Sequence, residues 1–470
     1  MGQACAALPA PAPFDEFTEM AQQEFQNWIA TLRPLFERGA AAPTLSELSE
    51  FLLERRAELM ASLLESALST THEAELERTQ APCPQCAKVL AMKRLDRKQL
   101  STLHGRAAIE RPYFYCPRCK LGFHPADDAL GLAREEHQWD VQQALTRLAA
   151  DLPYETAAEH FERLTAVAAG AHFEHDVLNA VGESATLESV VPTGEEIEAR
   201  IAEAEKGARR WRPVLVVATD GAYAPLRPPG ARKKKRGEGS WQEVKGVRLY
   251  LLGAGERITP LVSWHRLASA QEIEGDLQKI AALIPRQRVR IALVGDGSEW
   301  VWKVLHAAFP EGREILDYYH CSEYVHETAE LQFGDTLKGW QWAETQLTLL
   351  ALGEVEQVVA TLSLMRARTA KAREWIEGLK EYLLEHEHRI DYKKFKRAGL
   401  PRGSGAMESA NKFIAHVRLK RPGAWWLKDN CNAMLRIRCA LYNGTFERVF
   451  QNYVAGQKLP RRARRRPKTP

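Results

Sequence analysis

Two short apolar segments of the chain each end in an aspartate that is followed by glycine. Residues 214–219 lead into Asp220, and residues 291–295 lead into Asp296. Continuous apolar runs rich in β-branched residues are typical of strands that are buried on both faces of a sheet. In an open α/β sheet, the carboxyl ends of such strands border the crevice in which ligands bind. Two aspartates delivered to that crevice could therefore share divalent cations.

The same dipeptide also has a simpler interpretation. Asp-Gly is among the commonest turn signals, because aspartate bonds its own backbone and glycine accepts positive φ. Taken alone, either Asp-Gly pair is more typical of a turn. A third acid makes metal binding the favoured interpretation. Glu408 lies in the first turns of a helix expected after Ser404, a suitable N-cap. On its own, Glu408 fits an acid that stabilises the helix macrodipole, but after two strand-end aspartates we expect it to be the third metal ligand.

Four of the eight cysteines form two Cys-Pro-x-Cys units, Cys83 with Cys86 and Cys116 with Cys119. Such a turn lets two thiolates face one ion, and two turns complete a tetrahedral Zn²⁺ site. A site closed by four cysteines leaves no open coordination position, so we assign the zinc to folding or DNA docking and not to catalysis. The other four cysteines are scattered along the sequence. This distribution favours metal binding in a reducing, cytoplasmic compartment over a disulfide framework.

The composition describes a globular chain with unevenly placed charge. The 470 residues carry a formal net charge of only +4, yet residues 232–236 and 461–468 form two basic runs without acids. Like-charged runs are often simply solvated, and they are also what a phosphate backbone attracts. Apolar stretches long enough to span a bilayer are absent from the sequence, so we expect no membrane partner.

The length predicts about three domains, and hydrophobic periodicity divides the chain further. We expect an N-terminal helical region (1–78), a zinc ribbon (79–126), a helical region compatible with a DNA-reading helix-turn-helix or a plain helical linker (127–205), a catalytic core (206–328), a helical insertion (329–400), a C-terminal helical part of the core (401–450) and a basic tail (451–470).

Within the core, the strand and helix order indicates the fold. Three strands in sequence, a helix from about residue 270 to 283, and the strand before Asp296 give the order β-β-β-α-β. With acids on the first and fourth strands, this is the arrangement of ribonuclease H-like enzymes, which transfer phosphoryl groups with metal ions. The fold class we predict is therefore a multidomain α/β protein with a ribonuclease H-like catalytic core and an all-helical insertion.

Four short motifs together resemble the DDE transposases of bacterial insertion sequences, nearest to the ISKra-type group related to the Mutator-like superfamily. The motifs are residues 218–221, 294–300, 315–320 and 407–412. In that superfamily, a Cys-or-Asp-x-x-His signature follows the second aspartate, and Asp317 and His320 match it. A helical insertion then precedes the final glutamate.

The resemblance implies that Asp220, Asp296 and Glu408 hold two Mg²⁺ or Mn²⁺ ions about 4 Å apart. His320 would contact a phosphate or orient a group near them, and Asp317 is the rival third acid. Implied partners are the DNA of the element ends and of the target, with the enzyme a homodimer or larger oligomer. Two alternatives stay open: a nuclease or resolvase on the same fold without strand transfer, and a DNA-binding protein without catalysis.

Overall fold

The computed structural model describes residues 13–36, 42–206, 212–228, 239–253 and 257–458. Both basic runs noted above lie outside the described residues. The chain is mixed α/β and divides into two compact units, one of residues 1–178 with 454–470 and the other of residues 179–453. None of the helices within the described ranges is both long and apolar enough to cross a bilayer.

The first unit combines long helices with two small antiparallel sheets. A capping box at Thr44 and Glu47 starts α2, as the Thr-x-x-Glu pattern indicates. Strands β1 and β2 form one sheet, and β3, β4 and β5 form the other in that order. The elements are α1 (Pro13–Thr31), α2 (Leu45–Thr71), α3 (Glu73–Leu76), β1 (Gln80–Pro82), β2 (Val89–Ala91), β3 (Arg94–Thr102), β4 (Gly105–Cys116), β5 (Leu121–Phe123), α4 (Pro125–Ala129), α5 (Trp139–Asp151), α6 (Tyr154–Thr165) and α7 (Ala171–Ser184), the last of which runs into the second unit.

The second unit is built on a five-stranded sheet with the spatial order β8-β7-β6-β9-β10. Strands β6, β7 and β8 are antiparallel neighbours, while β9 and β10 run parallel to β6. The order β-β-β-α-β expected from the sequence is confirmed. The elements before and within this sheet are α8 (Leu187–Val190), α9 (Gly194–Lys206), β6 (Val214–Leu226), β7 (Ser240–Leu252), β8 (Ile258–Arg266), α10 (Ala270–Ala281), β9 (Arg290–Gly295), α11 (Glu299–Ala308) and β10 (Arg313–Leu316).

The Asp-Gly pair at Asp220 is not a turn. Strand β6 continues through it to Leu226 and stays paired with β7 over its whole length. The turn interpretation is therefore wrong at this position, because a long antiparallel partner holds the backbone extended. At Asp296 the strand does end, since β9 stops at Gly295 and Gly297 adopts a φ of +103° that favours glycine.

The regular elements between β10 and the segment that carries Glu408 are helices joined by short loops. The first of them begins at Tyr318, directly after the strand, and runs through residue 329, at which the helical insertion is expected to start. The remaining elements of the unit are α12 (Tyr318–Phe333), α13 (Leu337–Leu352), α14 (Val355–Leu364), α15 (Ala370–Glu385), α16 (Tyr392–Arg397), α17 (Gly405–Asn411), a π-helical stretch (Lys412–His416), α18 (Val417–Leu419), α19 (Lys428–Asn443) and α20 (Phe446–Lys458), which ends in the first unit.

Three arginines of the C-terminal helices serve the interior of the unit. Arg418 and Arg438 are buried. The Arg438 guanidinium donates to the carbonyls of Phe413 and Ile414, in the π-helical stretch where backbone acceptors are displaced from regular pairing. Arg436 donates to the Gly182 carbonyl at 3.1 Å. These three guanidinium groups are therefore used in packing the unit.

Asn443 at the end of α19 offers a test of how this helix is attached to the sheet. Its amide accepts from the Ser263 N–H at 2.8 Å and donates to the carbonyls of Ser263 and Val190. Because Asn443→Ala leaves buried backbone groups of β8 without partners, we expect it to lower the free energy of unfolding by about 2–4 kcal/mol. Urea denaturation measures the change. Asn432→Ala, which removes a similar but partly exposed amide pair at Leu267, should cost less, and an equal cost would contradict this account.

Candidate active site at the acidic edge of the sheet

Three aspartates come to the same edge of the central sheet on three neighbouring parallel strands. The register pairs Ala218 of β6 with Val294 of β9, so Asp220 and Asp296, each two residues further on, reach the same level. Strand β10 pairs with β9 in parallel, and Asp317 follows its last residue. Asp296 directly follows the last residue of β9, whereas Asp220 lies within β6 and not at the strand end that the sequence predicts. What the two residues share is their level in the register.

Asp220 is a partly dehydrated carboxylate with two hydrogen bonds. The Gly221 N–H donates to its Oδ1 and the Asn411 side-chain amide donates to its Oδ2, both at 2.7 Å. Burial raises the pKa of Asp220 to about 6, with the Gly221 hydrogen bond opposing the shift and the negative charge of Asp296 adding to it. Asp220 and Asp296 are therefore close enough to repel one another, which is the condition that a bound cation relieves.

Asp296 begins the turn that follows β9. Its two carboxylate oxygens accept hydrogen bonds from the N–H and the hydroxyl of Ser298, at 2.9 and 3.0 Å. The Tyr382 hydroxyl of α15 donates to the Asp296 carbonyl at 2.8 Å, so the helical insertion also holds this turn. Sequence analysis did not single out Tyr382, because nothing local to it signals a contact with a residue 86 positions earlier.

Asp317 has a mainly structural environment. It is buried, and its Oδ1 caps α12 by accepting from the N–H groups of Tyr319 and His320. Its Oδ2 accepts from both the N–H and the hydroxyl of Ser404. Ser404 is the N-cap residue of α17 by position, as expected, but its hydroxyl binds Asp317 and makes no capping bond to its own helix. With its oxygens occupied in this way, Asp317 is less available as a metal ligand than its position alone indicates.

Glu408 lies on α17, between two anchored points. The helix is tied at its start by Ser404 to Asp317 and at its end by Asn411 to Asp220. Glu408 itself is exposed to solvent. Its carboxylate does not join those of Asp220 and Asp296 in a compact ligand group, since the only such group within the described residues is made of cysteines. Its role as the third ligand stays a prediction.

His320 occupies the first turn of α12 and is partly exposed. Its ring lies 3.5 Å from the Glu323 carboxylate and packs against Tyr324. A positive charge on His320 favours the ionised form of Asp220, which places the ring in the electrostatic surroundings of that carboxylate. This position is compatible with the expected phosphate-contacting or orienting role, which stays a prediction.

The four cysteines of the two Cys-Pro-x-Cys turns form a group that can hold Zn²⁺. Their sulfur atoms all lie within 4.8 Å of one another, and Sγ of Cys86 is 3.7 Å from Sγ of Cys116. A tetrahedral site with Zn–S bonds of about 2.3 Å requires sulfurs about 3.8 Å apart. The donor set and spacing therefore fit zinc.

The backbone around the cysteines has the same form in both turns. Ala87 and Lys120, which each follow the second cysteine of a pair, adopt φ of 57° and 51°. Burial raises the pKa of the Cys83 thiol, but hydrogen bonds from the N–H groups of Gln85 and Cys86, together with those from the thiols of Cys116 and Cys86, lower it to about 7. Amides directed at the sulfur favour the thiolate that a metal requires.

A family model described as an uncharacterised protein family, UPF0236, matches residues 41–452 of the chain. The match covers most of both units. The chain belongs to the UPF0236 family.

Two other UPF0236 proteins are similar to this chain over about three quarters of its length. A protein of Streptococcus gallolyticus, named as a UPF0236 protein in the vanSb 3' region, is 27% identical over 377 residues, which are 76% of each chain. A protein of Caldanaerobacter subterraneus subsp. tengcongensis, whose name joins eleven locus designations, is 24% identical over 369 residues, or 75% of this chain and 69% of that protein.

Among solved structures, a chain of the Drosophila P element transposase strand transfer complex is 11% identical and aligns over 68% of this UPF0236 protein and 82% of that chain, with a TM-score of 0.25. A likeness this distant decides neither the fold nor the chemistry.

The cysteine group predicts a metal content that can be counted. We expect one Zn²⁺ per chain in the purified UPF0236 protein, and its loss in Cys116→Ala, because three thiolates cannot close the tetrahedral site. Inductively coupled plasma mass spectrometry measures the ratio. Cys431→Ala removes a buried cysteine of α19 outside the group and should leave the ratio unchanged. Zinc retained by Cys116→Ala would contradict the assignment.

The raised pKa of Asp220 predicts a pH-dependent difference in stability. A carboxyl whose pKa is higher in the folded protein contributes stability at low pH and loses it as pH rises through about 6. Asp220→Asn is neutral at every pH. Its free energy of unfolding should therefore rise relative to that of the wild type by about 1.5 kcal/mol between pH 5 and pH 7.5. Urea denaturation without added divalent cations measures both proteins. The same difference at the two pH values would contradict the burial of this charge.

Proposed function

We propose that this UPF0236 protein is a DDE transposase, which binds the ends of a mobile DNA element, cleaves there and joins the 3′ ends to target DNA. The observation that carries the proposal is the meeting of Asp220 and Asp296 at one level of neighbouring parallel strands, where the charge of one raises the pKa of the other. Such a pair of partly dehydrated carboxylates suits divalent cations.

The order of the sheet supports a ribonuclease H-like core for this site. Three antiparallel strands are followed by two that run parallel to the first, and the first strand is central. The acids stand on the first strand and directly after the fourth, as the resemblance to DDE transposases requires. An all-helical segment then separates them from the helix that carries Glu408.

The repeated occurrence of relatives agrees with a mobile element. One protein name in Caldanaerobacter subterraneus covers eleven loci, and another covers four. Sequences that insert copies of themselves leave this pattern, whereas a resident enzyme ordinarily has one locus. We extend this reasoning to the present chain as part of the proposal.

In the proposed reaction, Asp220 and Asp296 hold Mg²⁺ or Mn²⁺, with Glu408 as the third ligand. The bound ions supply activation of water or of a 3′-hydroxyl and stabilisation of the leaving oxygen. The protein's own contribution is to hold the two strand carboxylates at one level and to keep Asp220 partly dry. Asp317 and Ser404 fix the start of α17, which carries Glu408.

An exposed aromatic side chain near the acids offers a surface for DNA. Tyr319 lies two residues beyond Asp317 and is more than half exposed, whereas Tyr223, three residues beyond Asp220 on β6, faces the other side of the sheet. Aromatic rings at such positions can stack on unpaired bases exposed by cleavage. Lys245, which is paired with Gly221 across the sheet, lies over the Trp300 ring, and its ammonium group is ion-paired with the Glu243 carboxylate.

Nicking of a supercoiled plasmid that carries the element ends, in the presence of Mn²⁺, tests the proposal. We expect Asp220→Ala and Asp296→Ala to lose nicking by at least 100-fold, about 3 kcal/mol of transition-state stabilisation, because each removes a metal ligand. Glu408→Gln should lose it to a similar extent. Glu299→Gln, which changes an exposed acid three residues beyond Asp296, is the matched control and should cut normally.

The outcomes separate the candidate functions. Normal cutting by Asp220→Ala or Asp296→Ala would show that the metal site is wrong. Nicking without joining of pre-cleaved ends would favour a nuclease or resolvase. DNA binding that is unaffected by EDTA and by all three substitutions, without cleavage, would favour a DNA-binding protein without catalysis.

A further inference from the structure

A buried row of residues crosses the sheet behind Asp220. The register pairs Asp220 of β6 with Gly246 of β7, and Gly246 with His265 of β8. Residues paired in this way on neighbouring antiparallel strands face the same side of the sheet. The row therefore leads from the candidate metal-binding carboxylate to a histidine that is fully buried two strands away.

Glycine in the middle of this row leaves the space that the other side chains use. A Cβ built on Gly246 would lie 2.5 Å from His265 Nε2 and 2.6 Å from Met407 Cε. Contacts that short do not occur, so any side chain at this position would displace the imidazole or Met407 of α17. Gly246 thus permits the His265 ring and helix α17 to meet over β7.

Asn411 joins the histidine to the carboxylate. Its Nδ2 donates to Asp220 Oδ2 at 2.7 Å, and its Oδ1 lies 3.0 Å from His265 Nε2. An ionised carboxylate only accepts hydrogen bonds, so the amide nitrogen of Asn411 must face Asp220. The amide oxygen then faces His265, and Nε2 must carry the proton that is donated to it.

The other side of the imidazole completes the assignment of its tautomer. Burial lowers the pKa of His265 to about 4, so the ring is neutral at pH 7 and has one N–H. With the proton on Nε2, Nδ1 is an acceptor, and the Cys439 thiol lies 4.0 Å from it. The thiol, itself fully buried in α19, is the donor on that side.

We propose that Asn411 and His265 are positioning residues that fix the orientation of the Asp220 carboxylate for a divalent cation, with His265 acting through Asn411. This inference rests on the proposed function, because it assumes that Asp220 binds a cation. Gly221 and Asn411 each occupy one of the two lone pairs on an Asp220 oxygen. One lone pair on each oxygen remains for the metal, and the chain Cys439–His265–Asn411 prevents the carboxylate from rotating away.

Mn²⁺ binding to the zinc-loaded protein tests the hydrogen-bond chain Cys439–His265–Asn411 without any DNA reaction. The electron paramagnetic resonance signal of free Mn²⁺ measures the affinity. Loss of a hydrogen-bonding partner behind a metal ligand typically weakens metal binding by about 10- to 100-fold. We expect that loss in Asn411→Ala and His265→Ala. His265→Gln should stay within about threefold of the wild type, because a glutamine amide can donate to Asn411 Oδ1. Gly246→Ala should weaken binding by displacing the ring.

Two controls separate this proposal from its alternatives. Asn443→Ala removes another buried amide that binds the same strand, β8, and should lower stability without changing Mn²⁺ affinity. Asp220→Ala should abolish binding; if it does not, the metal site and the proposed function fail. If Asp220→Ala abolishes binding while Asn411→Ala and His265→Ala bind Mn²⁺ like the wild type, the positioning role is overturned. Equal weakening by His265→Gln and His265→Ala would also overturn it.

A spectroscopic measurement covers the case in which an alanine variant does not fold. Nitrogen NMR of the wild-type protein labelled with [¹⁵N]histidine distinguishes the two neutral tautomers, and the His265 signal is the one missing from His265→Gln. We expect a proton on Nε2 and none on Nδ1. A proton on Nδ1, or a doubly protonated ring at pH 7.5, would overturn the hydrogen-bond direction on which the proposal depends.

Discussion

The constraint on which the second unit depends is that β6, the central and mostly buried strand of its sheet, carries an ionisable carboxylate, Asp220. Ionising such a group costs free energy, and the protein offsets part of this cost with hydrogen bonds from Gly221 and Asn411. The nearby charge of Asp296 works in the opposite direction. In the proposed function, a bound divalent cation would offset this repulsion.

The same hydrogen bonds organise the elements around the sheet. Helix α17 continues through the π-helical stretch into α18, and the whole helical segment of residues 405–419 is of a length at which an isolated helix is only marginally stable in water. Helix α17 is held at its start through Ser404 and Asp317, and at its end through Asn411 and Asp220. The acids at the sheet edge therefore have two functions in the structure, because they both create the candidate site and attach the helix that carries Glu408.

Much of this architecture could be predicted from the sequence, where the signal was local. Buried strands, the capping box at Thr44 and the two cysteine turns each depend on a few consecutive residues, and all of them are present in the structure. The parallel register of β6 and β9 was not local, but two apolar runs with the same ending were enough to indicate it. The prediction that the first strand ends at Asp220 is wrong, because a distant partner decides the outcome: pairing with β7 extends β6 to Leu226.

The sequence by itself determined which residue types were available: the strand-borne aspartates, the helix-borne glutamate and the cysteine pairs. Only the tertiary structure decided their surroundings. It engaged Asp317 in capping and in binding Ser404, turned Arg438 toward backbone carbonyls, and connected His265 to Asp220 through Asn411. The physical reason is that burial and hydrogen-bond direction depend on neighbours that lie 24 to 191 residues away along the chain, and a pattern of consecutive residues contains no information about them.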